Sequence, residues 1–126
     1  MFDRYQREIH YLRLSVTDLC NLRCRYCMPD GVEKLEREAV LTYEEFLRLA
    51  ALFAQCGIDT VRVTGGEPLV RKKDVLKLAE KHNDVQFAIY TNSTLIDEPF
   101  CEEVQRLGNI AFMLSIEGTP ETNDAR

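Results

Sequence analysis

The sequence predicts an α/β fold of parallel βαβ units, and three features of its 126 residues point there. Hydrophobic periodicity switches back and forth between a strand-like and a helix-like repeat. The helical stretches carry capping and stopping residues at their ends. Strand, helix and strand follow one another repeatedly, which argues for parallel units with right-handed crossovers.

Taken in order, the first β-rich run is Tyr11–Thr17. Residues 18–41 follow without a helical or strand pattern. Loops beyond about 12–15 residues are uncommon in compact domains and are usually functional or disordered. A helix is expected from Thr42 to Gln55, with Phe46, Leu49, Ala50 and Phe53 on its apolar face. Thr42 and Glu45 form its capping box and Gly57 its stop. Thr60–Thr64 is the second run, a shorter helix covers Asp74–Lys81, and Val85–Thr91 is the third run. The next helix, Glu98–Leu107, has Asp97 as N-cap, Pro99 in its first turn and Gly108 as its stop. Ile110–Ile116 is the fourth run.

Alternation within the runs sorts their side chains into two faces. Leu12, Leu14 and Val16 oppose Arg13, Ser15 and Thr17; Val61 and Val63 oppose Arg62 and Thr64; Phe112, Leu114 and Ile116 oppose Met113, Ser115 and Glu117. A parallel sheet covered on both sides is apolar on both faces. The face carrying two arginines, hydroxyls and a carboxylate is therefore expected to line a polar cavity.

The bulk composition narrows the function classes. The chain is 45% hydrophobic and 29% charged, which suits one domain over residues 1–126. A net charge of −5, with sixteen basic residues spread thinly, leaves no footprint for nucleic acid. No apolar run approaches the roughly 20 residues of a membrane span. The polar start Met1-Phe2-Asp3-Arg4 lacks a signal peptide's apolar stretch, so a cytoplasmic location with reduced thiols is expected.

Three of the five cysteines fall within eight residues, as Cys20-x3-Cys24-x2-Cys27. That spacing fits a metal better than a disulfide framework. Soft thiolates suit iron–sulfur centres, and three of them leave one iron of a cubane open, as in catalytic zinc sites. A zinc site completed by His10 or His82 is the alternative. Cys56 and Cys101, on predicted helices, are expected to be small buried hydrophobes. Gly65-Gly66-Glu67-Pro68 directly follows the second run, where glycines would let a ligand approach the backbone and the carboxylate could meet an ammonium. Both motifs follow strands, and in parallel folds those loops build the active site.

With Tyr26 before the last cysteine, the motif resembles the radical S-adenosylmethionine superfamily. The resemblance implies a partial TIM-type barrel of about four strands, since a complete barrel takes about 250 residues. It implies an enzyme with a [4Fe–4S] cluster on Cys20, Cys24 and Cys27, whose open iron chelates the methionine part of S-adenosylmethionine. Such an enzyme takes an electron from a donor such as a flavodoxin or ferredoxin and generates a 5′-deoxyadenosyl radical. Cofactor contacts are then expected from Tyr26, from Gly65, Gly66, Glu67 and Pro68, from Thr91 and Asn92, and from Ser115 and Glu117.

Leu12–Asp18, Cys27-Met28-Pro29, Leu41–Glu45 and Val61–Arg71 resemble the GTP 3′,8-cyclase (MoaA-like) family that begins molybdenum-cofactor synthesis. That likeness implies GTP as substrate, with Arg13, Arg62 and Thr91 contacting it; paired guanidinium groups suit a triphosphate. From His82 to Arg126, Tyr90–Ile96 and Leu114–Gly118 resemble other radical enzymes more than the cyclase. A radical maturase acting on a peptide or other small molecule is thus one alternative, and a non-catalytic iron–sulfur module another. The cyclase family has a longer barrel and a second cluster with its own cysteines. The expectation is a partial barrel, a fragment, or a composite of two relatives.

Overall fold

Four parallel strands lie side by side in chain order. The computed structural model describes residues 1–31 and 35–125. The strands are β1 (Tyr11–Ser15), β2 (Thr60–Thr64), β3 (Gln86–Thr91) and β4 (Ile110–Leu114). Helix α1 (Tyr43–Gln55) connects β1 to β2, α2 (Lys72–Lys81) connects β2 to β3, and α3 (Glu98–Leu107) connects β3 to β4. A short α4 (Pro120–Asp124) follows β4. The βαβ repeat and the α/β class agree with the sequence pattern.

Strand register turns the alternation of side chains into a core. Leu14 pairs with Val63, Val63 with Ile89, and Ile89 with Phe112, a row that runs across the sheet on one face. Phe46 and Ala50 of α1, Val75 and Leu78 of α2 and Phe100 of α3 bury themselves against that face. Each fully buried side chain of this size contributes about 1.5–3 kcal/mol. The other face carries a second row, Arg13–Arg62–Ala88–Ala111, in which two arginines lie beside two small side chains.

The helix ends follow the sequence signals. Thr42 Oγ1 accepts the Glu45 N–H at 3.2 Å, and Glu45 Oε2 accepts the Thr42 N–H at 2.7 Å. Those Thr42 hydrogen bonds hold the Glu45 carboxyl below its usual range. Asp97 caps α3 by accepting the Phe100 N–H at 3.0 Å, and it pairs with the Lys72 ammonium of α2. Gly108 ends α3 in the left-handed region at φ 73°.

Four features differ from the sequence pattern. Helical geometry begins at Pro68 rather than Asp74, because a 3₁₀ turn over Pro68–Arg71 runs directly into α2. Pro68 presets that turn and Glu67 caps it. β1 and β4 each stop two residues early, though Val16 and Ser115 still donate one bond each, to Thr64 and Thr91. Among its described residues, the segment after β1 holds a helical turn over Arg37–Ala39. Finally, Cys56 and Cys101 are exposed rather than buried. Phe100, Val104 and Leu107 take the inward stripe of α3, so Cys101 falls outside it. Cys56 is the C-cap of α1.

One buried polar side chain closes the far end of the sheet. Asn109 Nδ2 reaches the carbonyls of Ala79, His82 and Val85 at 3.0–3.2 Å, tying the α2–β3 connection to the start of β4.

Candidate cluster and cofactor site

The loops leaving the C-terminal ends of the strands are drawn together by backbone contact. Gly66 N donates to Thr17 O at 2.8 Å and Glu67 N to Leu19 O at 2.7 Å. A Cβ on Gly66 would lie 2.2 Å from Leu19 O, and one on Gly65 would lie 2.4 Å from Thr17 O. Gly65 also holds φ at 139°, which L side chains rarely adopt. The two glycines are thus where the loop after β2 meets the base of the cysteine loop. The neighbour they pack against here is the chain's own backbone.

Glu67 is buried, at 1% exposure. Its Oε1 accepts the Leu69 N–H at 2.9 Å and the Thr91 hydroxyl at 2.7 Å, and its Oε2 accepts the Asn92 N–H at 2.8 Å. The carboxylate joins the start of the α2 turn to the end of β3. Pro68, also buried, follows it as the first residue of that turn. Thr91 is buried as well, its hydroxyl committed to Glu67.

Side-chain tethers also hold the cysteine loop over these strand ends. Arg71 donates to Val16 O at 2.9 Å and Leu41 O at 3.1 Å, pinning the chain just before and just after the loop. Asn21 bonds Asn92 and Thr94 beyond β3. Tyr26 donates its hydroxyl to Glu117 Oε1 at 2.9 Å, reaching the segment beyond β4. Arg71, Asn21 and Thr94 were not singled out from the sequence, since bonds between residues distant in sequence leave no local pattern.

Within the loop, the Cys24 carbonyl accepts the N–H groups of Cys27 and Met28, so the chain turns between the second and third cysteines. All three thiols are free, Cys20 and Cys24 half-buried and Cys27 exposed. A cavity of about 270 Å³ opens beside Cys20, lined by Asp18, Asn21, Arg23 and Met28. Another, of about 300 Å³, borders Cys24 and Thr94. A third, of about 430 Å³, lies over the ends of β3 and β4, where Asn92, Thr94, Ser115 and Ile116 line it.

The substrate-side candidates sit apart from the loop, lower on the open face. Arg13 and Arg62 are paired in register. The Arg62 guanidinium lies 3.9 Å from the centre of the Tyr11 ring and that of Arg13 5.7 Å from Tyr90. Strand parity put both arginines on one face, and the structure keeps them there.

Residues 14–126 match the Radical SAM superfamily. The chain belongs to that superfamily. A GTP 3′,8-cyclase of Geobacter sulfurreducens is 48% identical over 102 residues, covering 78% of this chain and 31% of the relative. One from Clostridium botulinum is 38% identical over 125 residues, or 96% of the chain and 39% of the relative. The cyclase likeness therefore continues through the half in which the sequence motifs had pointed to other radical enzymes. The chain spans about a third of the length of the curated relatives it matches. The crystal structure of Streptococcus suis SuiB bound to S-adenosylmethionine superimposes with a TM-score of 0.72 at 21% identity, over 92% of this chain and 26% of that one. At that identity the likeness shows the fold.

Membership of the radical SAM superfamily brings with it a [4Fe–4S] cluster and S-adenosylmethionine, and the cysteine loop fits such a cluster. Its donor set is three soft thiols with no competing disulfide. Cys20 Sγ already accepts an N–H, from Leu22 at 3.4 Å, as ligating sulfurs do. Among the described residues, no three His, Cys, Asp or Glu side chains converge on a point that would hold a single ion. A cubane makes a different demand, because its iron corners are separate and its ligands stand around a wider rim. Replacing Cys24 by alanine is expected to abolish cluster assembly, read as iron bound per chain after anaerobic reconstitution. Undiminished iron would remove Cys24 from the ligand set.

Proposed function

We propose that the chain uses a cluster on Cys20, Cys24 and Cys27, together with S-adenosylmethionine, to begin radical chemistry on GTP. The observation that carries the GTP reading is the Arg13–Arg62 pair, side by side on the open face of a chain that over 102 residues is 48% identical to a GTP 3′,8-cyclase. Two guanidinium groups in adjacent strands can grip a polyphosphate in bidentate fashion. Ala88 and Ala111, next in the same row, leave room beside them.

When bound, the cluster and S-adenosylmethionine supply a 5′-deoxyadenosyl radical that abstracts hydrogen from the substrate. The residues of this chain then divide the remaining work. Gly65 and Gly66 hold their loop against the cysteine loop, and their segment offers backbone groups to the cofactor's amino group. Glu67 and Pro68 fix that segment from below. Asn92, Ser115 and the adjoining cavity offer polar contacts to the adenosyl part. Tyr26 and Glu117, bonded to each other, close the loop on the β4 side. Thr91, its hydroxyl bonded to Glu67, braces the end of β3 beneath the site. Arg13 and Arg62 hold the triphosphate on the open face.

Such an enzyme needs a one-electron donor, for which a flavodoxin or ferredoxin is suited, and a reducing compartment such as the cytoplasm. No helix among the described residues is long and apolar enough to cross a membrane.

Arg62→Ala tests the substrate assignment. It is expected to weaken GTP binding by roughly ten- to a hundredfold, as loss of one charge-assisted contact worth about 1.5–3 kcal/mol would. Iron content should stay at the wild-type level. Equal GTP affinity in wild type and variant would remove the cyclase reading. Anaerobic incubation with S-adenosylmethionine and GTP checks the product, since 5′-deoxyadenosine without GTP conversion would favour a different substrate.

A further inference from the structure

Asn92 joins two hydrogen-bond networks, and its orientation is fixed from both sides. Its backbone N–H is held by Glu67 Oε2 at 2.8 Å. Its side-chain carbonyl accepts from Thr94 twice, from the backbone N–H at 3.1 Å and from the hydroxyl at 2.7 Å. A reversed amide would aim its NH2 at an N–H, so these bonds settle which end faces which way. The NH2 is thereby turned onto the cysteine loop. It donates to Asn21 Oδ1 at 3.0 Å and lies 3.9 Å from Cys20 Sγ, so each of its two hydrogens has an acceptor. Asn21 Nδ2 donates in turn to Thr94 Oγ1 at 2.8 Å, which closes the ring.

We propose that Asn92 is a positioning residue that sets the reduction potential of the cluster through an N–H···S contact to Cys20, with its amide locked by Thr94 and its backbone by Glu67. A donor on a ligating thiolate draws charge off the sulfur. It thereby favours the reduced, more negative cluster and raises its potential. This rests on the cluster reading alone and holds whatever substrate the enzyme takes. It gives Asn92 a task separate from any contact with the adenosyl group.

The test is a redox titration of the anaerobically reconstituted chain, followed by electron paramagnetic resonance (EPR), without S-adenosylmethionine or GTP. At a fixed poise, Asn92→Leu is expected to lower the ratio of reduced to oxidised cluster by about three- to tenfold, the upper figure corresponding to about 59 mV for a one-electron couple. Thr94→Val, which loosens the lock while leaving the amide in place, should shift the ratio the same way by less. An Asn92→Leu variant with wild-type iron content and an unchanged ratio overturns the proposal. If that variant takes up no iron, an Asn21→Asp chain, which keeps an acceptor for Asn92, carrying asparagine labelled with ¹⁵N in the side-chain amide decides. Pulsed EPR of the reduced cluster should show a ¹⁵N coupling, and its absence overturns the proposal. Failure of the cluster reading itself would look different, because the unmodified chain would then form no four-iron cluster.

Discussion

Gly66→Ala is expected to cost the fold about 3 kcal/mol or more, at or above the upper end for overpacking substitutions, and to block cluster assembly. The added Cβ would stand 2.2 Å from Leu19 O, 2.5 Å from Leu19 C and 2.7 Å from Asp18 O. All three are backbone atoms at the root of the cysteine loop, so no side-chain rotation relieves the clash. Relief requires the two loops to part, which breaks Gly66 N to Thr17 O and Glu67 N to Leu19 O together. Urea unfolding and iron uptake measure both effects. A variant with wild-type stability and a full cluster would show that the loops do not need to touch. Gly65→Ala should behave similarly, with the strain of its positive φ added.

Glu67→Ala is expected to cost about 3 kcal/mol or more, since each buried donor left without its acceptor costs about 1–3 kcal/mol. It would strand the Leu69 N–H, the Thr91 hydroxyl and the Asn92 N–H, all three committed to one buried carboxylate. Glu67→Gln keeps the shape and the acceptor facing Leu69 and Thr91. Its amide then opposes the Asn92 N–H, so a smaller loss of about 1–3 kcal/mol is expected. Denaturant unfolding of both variants checks the order. Equal, small losses would mean that the carboxylate is not the strut between the α2 turn and β3.

How much of this was legible in the sequence depends on whether the physics was local. Side-chain alternation is intrinsic to a strand, so the parity of Arg13 and Arg62 could be read directly. The Thr42–Glu45 box, the Asp97 cap and the Gly108 stop are likewise decided within four residues. Gly65-Gly66 was legible as a place of close approach, but nothing local says what approaches; it is residues 17–19. Glu67 looked like an open carboxylate because its three donors come partly from β3, 24–25 residues away. Arg71 was passed over for the same reason, since it bonds Val16 and Leu41 at 55 and 30 residues' separation. The exposure of Cys101 could have been found, because it lies next to Phe100 and off the Phe100–Val104–Leu107 stripe.

An iron–sulfur cluster with an iron open to S-adenosylmethionine underlies every functional reading of this chain. Its most direct test is EPR of the anaerobically reconstituted, reduced chain, recorded with and without that cofactor. The expected result is a reduced four-iron signal that changes shape when S-adenosylmethionine is added. A chain that takes up zinc and gives no such signal, or a four-iron signal indifferent to the cofactor, would contradict it.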